Sequence, residues 1–530
     1  MKRIFGFYVM LFAVSATIGA WAQDQSSSAP SQQQPSQQEP SQQEPSQNQS
    51  QPAQTQPSQE TPEQAQPPSS VPPSSESSSS SSTTPRQMTT PTTPAEGPPV
   101  AQQEGPKPEY VQVTPGRGNE LKPLDFLGAA APESNLSIGF NAQGAYDTNI
   151  AAFSSKRQSQ ASWLIGPHFS ISQYRAQLGW NFSYDGGLGV YDQLSNSNTY
   201  TQTASADLLY QINSRWQAHA SDRFTYTANP FGSYYTIVGT PTPDNPNPNV
   251  YVPFAISNQN QVGLDLADQL NRYDTLTFNG SEYYRRFSNY AQSGVYATGL
   301  YNTISFSGGA NYSHRFSAKL SAGGGYEWTS LDFSHGAQRS GISALQGFIN
   351  YKLNKSFAIS GFAGPDYITA KTLLPYFGRV YVLAQADWVP SFGLNLTWQG
   401  LRNAAALGLS RQVSDGGGLL ATTTVYALNG SWHRQLTARW AGTLYTAYSN
   451  NASFAASQLN QQLFPVRKFT LLTGGITFDR PLTQRATAHL SYAYIRETQR
   501  LIYLPPSTGT YDDNRVSLQI TYILNKPLGR

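Results

Sequence analysis

Residues 136–146 read LSIGFNAQGAY, and the apolar side chains of Leu136, Ile138 and Phe140 fall on every second position of this stretch. Successive residues of a β-strand point to opposite faces, so this spacing predicts a strand with one apolar and one polar face. The same alternation recurs as far as residues 516–524, VSLQITYIL. We count about 18 such strands, and counts of about 16 and about 20 also fit the pattern.

A sheet of this length has to hide its edges, and closure into a barrel removes them. The first 22 residues have the layout of a secretory signal, with Lys2 and Arg3 before an apolar run that ends at Ala20-Trp21-Ala22. An exported chain with an apolar and a polar strand face favours a barrel with lipid outside and water inside. We therefore predict an all-β fold, a single antiparallel up-and-down transmembrane β-barrel preceded by a disordered N-terminal segment.

Composition divides the chain into a signal peptide at 1–22, a tether at 23–134 and a barrel at 135–530. The tether is rich in Gln, Ser and Pro and poor in large apolar residues, so it cannot bury enough surface to fold. It is either a simple linker or a segment that contacts peptidoglycan or another periplasmic partner. With Cys 0 and a net charge of +3, the chain offers no disulfide and no basic surface for nucleic acid.

Short polar turns alternate with longer loops rich in Gly, Pro, Asn and Ser, which is typical of an outer-membrane barrel. Aromatic residues such as Trp216, Tyr273 and Trp440 follow the short turns, where an aromatic girdle is expected. Residues 380–388 form a further alternating run that would make the strand count odd. We therefore interpret 365–391 as an extracellular excursion or an inward-folded constriction loop, unless a neighbouring strand is misjudged.

The face opposite the apolar set carries mainly amides and hydroxyls, with a few charges of both signs and no dense ring of one sign. An 18-strand barrel is too wide for such side chains to fill, so either a water-filled channel or a plug of loops is expected. This lining suits neutral polar solutes such as sugars, without a strong ion preference. The candidate lumen-lining residues are Asn181, Asp185, Gln217, His219, Ser221, Arg223, Gln261, Asp265, Asn279, Asn395, Gln399, Arg515 and Gln519.

Two pairs of residues suggest catalysis as an alternative, because each places a His and a Ser on one strand face: His219 with Ser221, and His489 with Ser491. All four fall on the predicted lumen face, and neither serine is followed by Asn-Gly as in outer-membrane phospholipase. The histidines have no metal-ligand spacing. We therefore predict no catalytic residue, no metal site and no cofactor, and a protein that is not an enzyme.

Several segments of the chain resemble the β-barrel porin families of outer-membrane proteins that are often found with exopolysaccharide-export or extracellular-sorting systems. The matching segments are 146–149, YDTN, after the first strand; 405–411 before a Gly-rich loop; the turn at 436–440, LTARW; and 514–518, NRVSL. The likeness covers about residues 135 to 530. It implies an outer-membrane barrel with a channel or a polysaccharide-linked role and assigns no functional residues.

The sequence thus predicts a bacterial outer-membrane barrel whose N-terminal tether lies in the periplasm. The leading function is a porin-like channel for passive passage of small polar solutes, including saccharides. The alternatives are a structural or accessory barrel of an exopolysaccharide secretion system with no open pore and, third, a hydrolase in the barrel wall. Expected partners are outer-membrane lipid and lipopolysaccharide, the barrel-insertion machinery and a periplasmic partner of the tether, with no nucleic acid.

Overall fold

The computed structural model describes residues 134–149, 159–192, 199–228, 256–288, 300–334, 338–376, 379–418, 420–454, 466–501 and 509–528. The predicted signal peptide at 1–22 and the tether at 23–134, except for residue 134, lie outside these residues. In the part of the chain that is described, no helix is long and apolar enough to cross a bilayer.

The described residues form 18 β-strands. In chain order they are β1 (Asn135–Asp147), β2 (Gln160–Tyr174), β3 (Leu178–Tyr191), β4 (Thr199–Gln211), β5 (Trp216–Ala228), β6 (Ile256–Gln269), β7 (Asp274–Ser288), β8 (Thr303–Arg315), β9 (Leu320–Phe333), β10 (Gln338–Lys352), β11 (Phe357–Tyr376), β12 (Arg379–Gln399), β13 (Asn403–Ser414), β14 (Thr423–Gln435), β15 (Ala441–Ser453), β16 (Val466–Pro481), β17 (Ala486–Leu501) and β18 (Gly509–Pro527).

Each strand pairs antiparallel with its neighbours in sequence, and the last strand pairs with the first. The closing register runs from Asn135 opposite Pro527 to Asp147 opposite Arg515. This ladder leaves no free side to the sheet, so the molecule is a closed antiparallel barrel. The predicted fold class and the leading strand count are both confirmed.

Three short turns on one rim of the barrel share the same hydrogen-bond pattern. The Asn213 side-chain oxygen accepts the backbone N–H groups of Arg215 and Trp216 at 2.8 and 2.9 Å. Asn271 and Asn354 do the same for the two turns that begin β7 and β11. These side chains mimic a backbone turn, which explains the residues that recur at this rim.

Residues 365–376 and 379–391 are paired strand residues of the β11–β12 hairpin. The two strands pair without interruption from Phe357 opposite Trp398 to Tyr376 opposite Arg379. The alternating run at 380–388 is therefore the upper part of β12 and adds no nineteenth strand. The interpretation of this segment as an inward-folded loop is wrong, because its hydrogen bonds are already made within the hairpin.

Prolines lie at three interruptions of the strand ladders, since proline has no N–H to donate, whereas the β16–β17 register shifts between Val466 and Lys468 without one. Pro167 lies where the β2–β3 register skips between Ile165 and His168. Pro365 lies where the β10–β11 register skips between Asp366 and Ala363. Pro390 lies directly opposite Pro365 in the hairpin, and the β12–β13 register stops two residues before it, at Phe392 opposite Arg411.

Candidate functional site: a constricted lumen

The outer face of the barrel is apolar. Large side chains such as Ile138, Trp163 and Leu264 are 52%, 57% and 48% exposed, and they alternate with polar residues that face inward. Tyr273, Phe316, Phe357 and Trp440 lie exposed beside the short turns, at the predicted girdle. Such an exterior is the lipid-facing surface of an outer-membrane β-barrel.

Strand register determines which side chains share the inner face, because residues directly opposite each other in a sheet point the same way. His219 is opposite Asp265, and Asp265 is opposite Asn279. The register places the thirteen candidate residues on this inner face: Asn181, Asp185, Gln217, His219, Ser221, Arg223, Gln261, Asp265, Asn279, Asn395, Gln399, Arg515 and Gln519. That permeating solutes touch them stays a prediction.

The inner face also carries acidic residues that the sequence analysis did not select. Glu327 is opposite Ala344, which in turn is opposite Asp366, so both carboxylates face the lumen from β9 and β11. Asp366 is buried and accepts hydrogen bonds from Gln346 and Ser391. Glu327 follows Gly323 and Gly325 at two-residue spacing along the same strand face, and this spacing could have identified Glu327 from the sequence.

Histidines of the lumen wall face carboxylates on neighbouring strands. His219 lies between two of them, with Nδ1 at 3.1 Å from Asp265 and Nε2 at 3.8 Å from Asp207. His168 and His489 make the same kind of contact, at 2.6 Å, with Asp185 and Asp479. Hydrogen bonds at such distances stabilise the wall across each strand pair.

The two His–Ser pairs of the catalytic alternative lie on the inner face as predicted, but their contacts differ from those of a nucleophile and its base. The His219 nitrogens both face Asp side chains. Ser491 Oγ lies 2.5 Å from Ser517 Oγ on β18. A reactive serine needs a hydrogen bond to its base, and these contacts place the four residues in the lumen wall.

Residues 415–418 and 420–422, between β13 and β14, turn into the barrel, and we call them the constriction loop. The Asp415 carboxylate pairs with Arg285 on β7 at 3.3 Å, and both side chains are buried. The Tyr301 N–H donates to the Gly418 carbonyl at 2.8 Å, and the Thr422 hydroxyl donates to Ser340 on β10 at 2.6 Å. The loop therefore reaches strands far from its own position in the wall.

Three consecutive glycines allow this loop to turn. Gly416, Gly417 and Gly418 have φ of 63°, 68° and 93°, values that L-residues with side chains rarely adopt. A Cβ on Gly418 would also lie 2.3 Å from the ring of Phe287. The sequence marks this stretch only as a Gly-rich loop.

An apolar cluster fills the inner side of the wall around the constriction loop, and we call it the upper lumen cluster. It consists of Leu331, Phe333, Ile342, Ile368, Val389 and Ala421. Tyr301, Val413 and Phe454 pack against it. The ring of Tyr301 meets that of Phe333 edge-on, with centroids 6.1 Å apart, and burial raises the pKa of the Tyr301 hydroxyl, which lies outside the strands.

Among the described residues, no group of three or more His, Cys, Asp or Glu side chains is arranged to hold a metal ion.

No protein-family model and no curated protein matches this chain. Among solved structures it is similar to Pseudomonas aeruginosa OpdQ, with 11% identity and a TM-score of 0.37 over 74% of this chain and 98% of that one. Acinetobacter baumannii OccAB4 gives 11% and 0.37 over 74% and 99%. Pseudomonas aeruginosa OccK2 (OpdF) in complex with glucuronate gives 8% and 0.38 over 74% and 98%. Similarities this low do not carry a function over to this chain.

Proposed function

We propose that this barrel is a porin-like channel of the bacterial outer membrane through which small polar solutes pass by diffusion. The observation that carries the proposal is the constriction loop, held inside a polar-walled barrel by the Arg285–Asp415 ion pair and the Thr422–Ser340 hydrogen bond. A barrel of this width needs a narrowing element to select among solutes by size.

The chemistry of the wall supports polar solutes as cargo. Amides such as Gln217, Gln261 and Asn279 face the lumen together with His–Asp contacts. Amides and hydroxyls replace part of the hydration shell of a passing solute without holding it tightly. Saccharides are the class that this lining suits best, because their hydroxyl groups both donate and accept.

The test uses the purified full-length chain in a planar bilayer. We expect stable open-channel current steps that an added oligosaccharide blocks in a concentration-dependent way. Correct folding is checked beforehand by the slower migration of the heat-denatured barrel on a gel. Silence over many insertions of folded protein would refute the channel.

A second candidate is an accessory barrel of an exopolysaccharide secretion system with no open pore. The upper lumen cluster supports it, because Phe333 and Ile368 are buried on the inner face, where an open pore would expose them to water. Folded protein that inserts but never conducts, in cells that lose polysaccharide export when the gene is deleted, would favour this candidate.

The remaining expectations become part of the proposal. The N-terminal segment tethers the barrel on its short-turn side, where Ser134 accepts a hydrogen bond from the Leu528 N–H at 2.8 Å. We propose that the barrel contacts outer-membrane lipid, lipopolysaccharide and the insertion machinery, and that the N-terminal segment contacts a periplasmic partner. A pull-down with peptidoglycan tests whether the isolated segment 23–134 binds it. If the segment does not bind, it is a simple linker.

A further inference from the structure

Beyond Phe392 and Arg411, the neighbouring strands β12 and β13 stop pairing while both continue, as β4 and β5 also do beyond Gln202 and Tyr226. The β12–β13 register ends at Phe392 opposite Arg411, yet β12 extends upward to Arg379 and β13 to Ser414. At the other two prolines, Pro167 and Pro365, the interrupted ladder resumes beyond the break. We call the space between residues 387–391 and 411–414 the wall gap.

Sequence explains why the ladder does not resume. Extending the register by two residues would place Pro390 opposite Val413, and Pro390 has no N–H to offer. Beyond Ser414 the chain leaves the wall and enters the constriction loop. The wall gap is therefore built into the covalent structure of both strands.

The gap opens toward lipid. On its β12 side, Trp388 is exposed on the outer face and contacts the ring of Tyr367, with centroids 5.0 Å apart. On its β13 side, Tyr426 of the next strand is also exposed. Exposed aromatic rings of this kind mark the level where the acyl chains meet the head groups.

Apolar side chains continue from the gap into the barrel. Val389 on the β12 edge belongs to the upper lumen cluster, and Val413 on the β13 edge packs against that cluster. The two edges of the gap are thus joined to the cluster by aliphatic contacts. An alkyl chain entering between them would stay in an apolar environment.

Arg411 is the cation among the residues that border the gap, whose other polar side chains are Asp387, Ser391, Gln412 and Ser414. Its guanidinium lies over the ring of Tyr426, 5.0 Å from the centroid, and its Nε is buried without a hydrogen-bond partner. Asp366 on the inner face acts on it electrostatically, but no hydrogen bond joins Nε to that carboxylate. A buried guanidinium N–H without an acceptor is costly, and an anionic group that accepts it would be bound strongly.

We propose that the wall gap is a lateral binding site for a single-chain amphiphile with a carboxylate head group. The carboxylate accepts the hydrogen bond of Arg411, and the alkyl chain lies between the strand edges against the upper lumen cluster. The ligand reaches the site from the outer leaflet through the wall. This site is independent of ion conduction and requires no open pore.

The test follows quenching of a fluorophore by 11,12-dibromododecanoate in vesicles that contain the full-length protein. The chain has Cys 0, so Thr424→Cys, opposite Val413 on β14, provides a unique label beside the gap. Leu264→Cys, exposed on the lipid face of β6, is the control label. We expect saturable quenching at position 424 and weak, linear quenching from simple partitioning at position 264.

Two substitutions test the contact with the carboxylate and the width of the gap separately. Arg411→Gln removes the charge and should weaken binding about tenfold, as expected for a hydrogen bond to a charged group. Pro390→Thr restores an N–H to the β12 edge and should reduce quenching by narrowing the gap, whereas Pro167→Thr, at a ladder that already resumes, should leave it unchanged. The methyl ester of the probe should bind as weakly as the acid binds to Arg411→Gln.

Equal and linear quenching at positions 424 and 264 would overturn the proposal. So would full binding to a folded Arg411→Gln protein. If Pro390→Thr fails to fold, Arg411→Gln and the methyl ester still decide the outcome.

Discussion

Arg285 on β7 and Asp415 at the start of the constriction loop form an ion pair of 3.3 Å whose side chains are only 5% and 11% exposed. The pair joins the loop to a strand well separated from β13 and β14 in the order of the sheet. Removing one member of a buried pair leaves the other charge uncompensated, which costs far more than losing an exposed pair.

Asp415→Asn should therefore loosen the constriction loop. We expect the free energy of unfolding to fall by about 3–5 kcal/mol and the single-channel current to become larger and noisier. Stability is measured by urea titration of the folded fraction and current in a planar bilayer. Asp332→Asn is the matched control, because the Arg339–Asp332 pair is 71% and 39% exposed and should contribute about 0–1 kcal/mol. Equal effects of the two substitutions would contradict the role given to Arg285–Asp415.

Gly418→Ala should displace the same loop by a steric route. The added methyl group requires a strained φ near +93° and meets the Phe287 ring, so a cost of about 1–3 kcal/mol is expected. Gly308→Ala provides the comparison, since the nearest atom to its new Cβ is 3.8 Å away. Open-channel current that responds to both substitutions alike, or to neither, would show that Gly418 does not shape the pore.

Asp207→Asn should shift the ion preference of the channel toward anions. The Asp207 side chain is 50% exposed on the inner face, and a unit charge about 4 Å from an ion contributes about 1 kcal/mol in water, or about fivefold in local occupancy. The reversal potential in a salt gradient reports this change. Asp222→Asn, on the outer face of β5 because Asp222 alternates with the inward-facing Ser221, should leave the reversal potential where it was. A shift with Asp222→Asn of the same size would mean that the two faces are assigned wrongly.

Much of the fold was predictable from sequence because a barrel strand alternates strictly between lipid and lumen. Leu136 and Ile138 at one end and Val516 and Leu518 at the other are exposed or half-buried on the outer face as the pattern requires. The upper parts of β11 and β12 were missed because the alternating run at 380–388, counted as a separate strand, would make the strand count odd. In the structure the hairpin ladder continues past Pro365 and Pro390, which are opposite each other, and the run extends β12.

The site was less predictable than the fold. The periodic pattern identifies an inner face, and the register places the candidate residues there. It cannot show that Asp415 reaches Arg285 or that Thr422 reaches Ser340, because those contacts depend on the path of a loop across the interior. The positive φ angles of Gly416 to Gly418 are the local reason for that path, and glycine alone does not specify its direction.

The closing seam of the barrel sets the order in which the molecule can be assembled. Ser137 on β1 donates a hydrogen bond of 2.7 Å to Asn525 on β18, across 388 positions of the chain. Every other strand pair among the described residues joins neighbours in sequence and can form locally, whereas the seam requires the first and last strands to meet. Until then β1 and β18 both present open strand edges that can pair with other strands. The slow and vulnerable step of folding is therefore the meeting of the two ends, and a substitution at the seam should delay assembly more than the same substitution in the middle of the wall.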